Sequence, residues 1–153
     1  MRKLMSALFI TVDGVVEAPH NWSFDHFDDG MEAAMAAQIS AQDAVLLGRV
    51  TYEEWAPYWP TATDEPFASY INNTQKYVVS NTLDKLDWNK STLLKGDIAA
   101  EITKLKQQPG GNMGTGGSPT LVLWLLENDL LDELILTVYP VVAGSGRRLF
   151  NKD

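Results

Sequence analysis

The five residues Gly116-Gly117-Ser118-Pro119-Thr120 are of the types that a phosphate-binding turn needs. Two glycines let the backbone turn tightly and approach a ligand, Ser118 suits an N-cap, and Pro119 suits the first helical position, where no N–H is required. A strand-like segment precedes them and the apolar, helix-like run Leu121 to Leu126 follows. A helix N-terminus built in this way turns free amides and a partial positive charge outward, which is a cradle for phosphate. The same residues also make an ordinary strand-to-helix turn, so the cradle needs support from other positions.

That support comes from Asp13-Gly14, Gly48-Arg49-Val50-Thr51 and Ser80-Asn81-Thr82, each of which follows a predicted strand. Open parallel sheets bind ligands at the carboxyl ends of their strands. Small and hydroxyl residues there, with one arginine, suit a polyphosphate. Arg49 can grip phosphate oxygens bidentately, while amides and hydroxyls take the rest. Taken singly, Arg49 also reads as a surface ion pair and the hydroxyl residues as turn formers.

The elements that must position these loops alternate in type. Leu4 to Val12 reads as a buried strand closed by Asp13-Gly14. Asp28-Asp29 cap an alanine-rich helix through Ile39. Ala44 to Leu47 is a second strand, Thr51 to Trp55 a helical turn, Pro57 to Pro66 a loop, and Phe67 to Asn73 a short helix. Strands follow at Lys76 to Ser80 and Ser91 to Leu94. Asp97 caps a helix to about Lys106 that Pro109-Gly110-Gly111 ends. A weak strand at Asn112 to Thr115, the helix after Pro119 and a long strand from Glu133 to Val142 complete the order. Such alternation predicts an α/β sheet with parallel crossovers.

Composition bounds the partners. With 153 residues, one domain is expected, and 45% hydrophobic against 21% charged residues describes a globular chain. The net charge of -8, without a basic stripe, argues against nucleic acid, and no run approaches a membrane span. The chain has no cysteine, which removes thiolate chemistry and fits a cytoplasmic protein. His20 and His26 lack an i,i+4 relation, so no metal is expected.

Five segments then occur in order: Leu47-Gly48-Arg49-Val50-Thr51-Tyr52-Glu53, Tyr77 to Leu83, Gly117 to Leu121, Leu131-Asp132-Glu133-Leu134, and Pro140 to Phe150 with Gly144-Ser145-Gly146-Arg147-Arg148 inside it. Together they resemble the dihydrofolate-reductase-like family that includes the reductase domain of riboflavin biosynthesis enzymes, and within it the stand-alone members. The resemblance spans nearly the whole chain. It implies a three-layer α/β/α fold around a mostly parallel mixed sheet, NADPH as cofactor, and hydride transfer to a small heterocycle, as in 5-amino-6-(5-phosphoribosylamino)uracil reductase. It assigns Gly48, Arg49, Val50 and Thr51 to the cofactor phosphates, Ser80, Asn81 and Thr82 to the adenosine side, and Gly116, Gly117, Ser118, Pro119 and Thr120 to the pyrophosphate. Val12 and Val16 would flank the nicotinamide.

A hydride acceptor needs a planar slot and a polar group to orient or protonate it. The loop Pro19 to Asp29 offers both, with Asp25 as the expected catalytic acid, Trp22 and Asp28 as substrate contacts, and Asp28 or Asp29 able to take the acid's place or simply to cap the helix. Trp55, Tyr58 and Trp59 wall the slot or belong to the core. Two departures count against the riboflavin substrate itself. Thr115 stands where the related domains commonly carry Glu, and Trp55 where they tend to carry an acid. The chain also stops soon after Phe150, where related proteins usually add a strand or hairpin. An edge left open there predicts a homodimer.

Overall fold

The computed structural model of the protein describes residues 1–23, 25 and 28–151. His26, weighed above as a metal ligand, lies outside the described residues. The elements run β1 (Leu4–Thr11), α1 (Asp29–Ser40), β2 (Gln42–Gly48), α2 (Arg49–Trp55), α3 (Phe67–Asn73), β3 (Gln75–Val79), β4 (Ser91–Leu94), α4 (Ile98–Gln107), β5 (Asn112–Thr115), α5 (Pro119–Glu127) and β6 (Glu133–Tyr139). The last strand stops three residues short of the expected Val142. Pro140 has no N–H to extend the ladder, and the Val141 amide turns back to the Tyr139 carbonyl at 2.8 Å.

The six strands form one sheet in the order β4-β3-β2-β5-β1-β6. Every ladder in it is parallel. The antiparallel component expected of a mixed sheet is reduced, among the described residues, to an isolated bridge between Val15 and Arg148. Because β5 inserts between β2 and β1, the turns after all three strands open on the same edge, side by side. Three segments far apart in sequence are thereby made neighbours.

Each face of the sheet is covered. On one side, Ile102 and Leu105 of α4 and Leu121 and Leu125 of α5 pack on Leu4, Ala44, Leu46 and Met113. Val122 of α5 joins Leu8, Ile10, Val16 and Leu149 in an adjoining group. The helix α5 is apolar almost all round because it straddles both groups. Full burial of each such side chain stabilises the fold by roughly 1.5–3 kcal/mol. On the opposite side, Tyr52 of α2 and Ile71 of α3 pack on Val45, Leu47 and Val78, with Trp88 at the margin.

α1 also lies over this second face, yet none of its residues is buried. Its helix rests on alanine propensity and on the Asp28 cap, whose Oδ1 accepts the Met31 amide at 2.9 Å. Met113 points toward α4, so by strand alternation Gly114 and Gly116 face α1. A Cβ on Gly114 would lie 2.2 Å from Gln42 Oε1, and one on Gly116 would lie 2.6 Å from Leu47 and 2.7 Å from Trp55. The side chains of Gln42, Leu47 and Trp55 cover these two glycines, and a cleft runs between this layer and α1.

Candidate functional site

The cleft has a volume of about 1580 Å³, above the usual range for one small ligand. Its outer end lies at the carboxyl edge of the sheet and is made by two helix N-termini. After β5 the chain turns through Gly117 and Ser118, both with left-handed backbone at φ 51° and 55°. Glycine adopts this conformation freely; serine does so at a cost that the surroundings must offset. What offsets it is visible: Ser118 Oγ accepts the Gly48 amide at 3.1 Å and donates to Thr51 Oγ1 at 2.7 Å. Ser118 occupies the N-cap position of α5 as expected, but its side chain caps no amide of its own helix. It ties the start of α2 to the start of α5.

The amides of Thr120 and Leu121 therefore have no acceptor among the described residues. They face the cleft with the partial positive charge of a helix start. Gly48 is closely packed, since a Cβ there would stand 3.1 Å from Ser118 Oγ. Arg49, the first residue of α2, pairs with Glu53 one turn on at 2.9 Å. The ion-pair reading of Arg49 is seen directly, and a guanidinium with five N–H donors keeps several for the cleft it lines. Val50 and Thr51 also line this end.

Ser80, Asn81 and Thr82 sit beside the cleft rather than in its lining, which reaches Val79 and Ile98 on that side. Ser80 Oγ accepts the amides of Thr82 and Leu83, each at 3.1 Å, and Asn81 Oδ1 accepts the Gly96 amide at 3.1 Å. Their polar atoms hold the turn after β3 against the turn after β4.

Val16 is buried in the cleft wall, whereas Val12 is 64% exposed and does not line it. The intervening loop is braced by the segment after β6. Asp13 accepts the Ala143 and Gly144 amides at 3.1 and 2.9 Å, Val16 donates its amide to Arg147 O at 2.9 Å, and Glu17 accepts the Arg147 amide at 2.9 Å. The Thr11 hydroxyl and those two amides hold the Asp13 carboxyl down at about 2.

Of the three acids expected on the substrate side, Asp28 lines the cleft, with Oδ2 having no partner among the described residues. Asp25 is exposed and outside the lining, and Asp29 begins α1. Trp22 stands behind the wall, packed edge-on against Tyr139 at 5.3 Å. Burial, and then the Asp28 charge, push the Tyr139 phenol up. Trp55 lines the cleft and lies over Gly116. Sequence reading missed Glu17, Met35, Thr137 and Arg147, which also line it. Arg147 sits inside a quoted motif, which was the available signal for it.

The family model of the RibD C-terminal domain matches residues 2–153. The chain belongs to that family. Among relatives of the chain, the uncharacterized protein YyaP of Bacillus subtilis (strain 168) is 28% identical over 153 residues, covering 97% of this chain and 80% of its own. A solved structure from Shewanella sp. PV-4, described as a riboflavin biosynthesis protein, superposes with a TM-score of 0.74 at 21% identity, over 98% of this chain and 84% of that one. Dihydrofolate reductase from Enterococcus faecalis, solved with NADP(H), gives a TM-score of 0.64 at 14% identity, over 98% of this chain and 77% of that one. The RibD C-terminal fold is thus the dihydrofolate-reductase-like α/β fold expected from sequence.

Proposed function

We propose that the chain is an NADPH-dependent reductase that delivers hydride to a small heterocyclic acceptor of the pyrimidinone or pterin kind. The observation that carries this reading is the Ser118 bridge, which gathers two helix N-termini and Arg49 at one end of a cleft whose slot contains an Asp28 carboxylate oxygen with no partner among the described residues. The donor set suits a pyrophosphate: unpaired first-turn amides, a left-handed glycine turn and a cation. Gly48 to Thr51 and Gly116 to Thr120 would hold the cofactor phosphates, Ser80, Asn81 and Thr82 would border its adenosine, and Val16, but not the exposed Val12, its nicotinamide. NADPH, when bound, supplies the hydride.

The chain's own part is orientation and charge. Asp28 takes the role first assigned to Asp25, because Asp28 Oδ1 is fixed by the helix cap while Oδ2 is left to accept an N–H of the acceptor or to steady positive charge. A substrate panel followed by loss of reduced nicotinamide tests this. Asp28→Asn should lower kcat by about 10²-fold or more while NADPH affinity stays within about twofold, and Asp25→Asn should remain near wild type. Loss of turnover in Asp25→Asn alone would return the role to that residue. If wild-type protein binds NADPH but reduces no pterin, pyrimidinone or quinoid acceptor, the chain is a catalytically silent NADP-binding member of the family.

A further inference from the structure

The cleft continues inward from the cradle into an arm of different character. Its walls are Val45 of β2, Met35 and Ile39 of α1, and Phe67, Tyr70 and Ile71 of α3. Aromatic rings run without a break along one side: Trp55 to Trp59 at 6.0 Å between centroids, Trp59 to Phe67 at 4.8 Å, and Phe67 to Tyr70 at 5.7 Å. At the far end the Tyr70 hydroxyl donates to Gln42 Oε1 at 2.8 Å, a neutral polar pair. Burial pushes the Tyr70 phenol far up, so it stays uncharged. The arginines of the lining, Arg49 and Arg147, belong to the turn after β2 and the segment after β6, at the carboxyl edge, and no cation among the described residues lines the arm.

We infer that the acceptor reduced by this protein carries an uncharged aromatic extension, which this arm receives. A phosphoribosyl or glutamyl tail entering it would lose its water and meet no positive charge, a loss that buried anions do not recover without a partner. Flat apolar groups instead gain edge and face contacts with four rings and the flexible thioether of Met35. The stand-off of α1, no residue of which is buried, gives such an extension its depth. This inference rests on the reductase reading for its meaning, but its test reads the arm directly.

The uncharged fluorophore N-phenyl-1-naphthylamine, titrated into purified protein, should bind saturably at one site per chain. Met35→Glu should weaken it by about tenfold or more, since a carboxylate is placed on the arm's wall, while Ala33→Glu on the exposed side of α1 should stay within about twofold. No residue of α1 is buried, so both variants retain the fold. Ribose 5-phosphate and 4-aminobenzoylglutamate should fail to displace the probe from wild type, and ribose 5-phosphate should begin to compete in Met35→Lys. An absent probe site, equal binding by Met35→Glu and wild type, or displacement by ribose 5-phosphate would overturn the inference. NADPH titrated in parallel separates the two ideas: probe binding without NADPH binding supports the apolar arm and sinks the reductase reading.

Discussion

At the scale of single residues, Asp13 shows how a side chain outside the cleft lining can set the shape of a site. Its carboxylate takes a hydroxyl from Thr11 at 2.5 Å and two amides from beyond β6, and so holds the loop that carries Val16. Unfolded, the group titrates near 3.8; folded, it is held at about 2. The folded state therefore keeps the charged form longer, and the stabilisation is complete above pH 3.8 and is lost as pH falls toward 2. Acid unfolding followed by circular dichroism should show a shallower fall in stability between pH 4 and 2 for Asp13→Asn, together with lower stability at neutral pH. An unchanged acid limb would show that the carboxylate contributes nothing to folding. Ser118 makes the complementary point. It is legible as an N-cap type, but the bond it makes crosses 70 positions to Gly48, and only the strand order brings the two together.

At the scale of elements, the packing of α2 on the end of β5 is set by the absence of a side chain. Trp55 and Leu47 fill the space above Gly116, where a Cβ would overlap both. Gly116→Ala should destabilise the protein by about 1–3 kcal/mol through overpacking, with Trp55 fluorescence shifted, and denaturant unfolding checks it. Stability equal to wild type would mean that α2 is free to move. Most elements were readable from sequence because their signals are local. Asp97 caps α4 through the Ala100 amide at 3.1 Å, Pro119 opens α5, and the apolar runs of β1 and β2 are buried nearly throughout. Two things were not local. Whether Asp25 or Asp28 reaches the cleft depends on the exact start of α1 and on how the aperiodic loop before it is anchored. The role of Ser80 to Thr82 depends on the turn after β4, whose approach leaves no mark in the segment itself.

At the scale of the whole molecule, charge, strand order and the free edge act together. Among the described residues no helix is long and apolar enough to cross a membrane. Among the described residues the strand β6 pairs only with β1, and along and beyond it Val138 is 60% and Val142 71% exposed. We expect two copies to pair there about a two-fold axis, the commonest closure for an apolar edge. Sedimentation should give a dimer that Val138→Lys converts to monomer; a wild-type monomer that persists at high concentration would remove the expectation. The central claim is the cofactor cradle, and calorimetric titration with NADPH tests it most directly. Saturable binding of one NADPH per chain is expected, weakened in Arg49→Ala by about 1–3 kcal/mol with unchanged thermal stability. Absence of binding at millimolar NADPH, or an Arg49→Ala protein that binds as tightly as wild type, would contradict it.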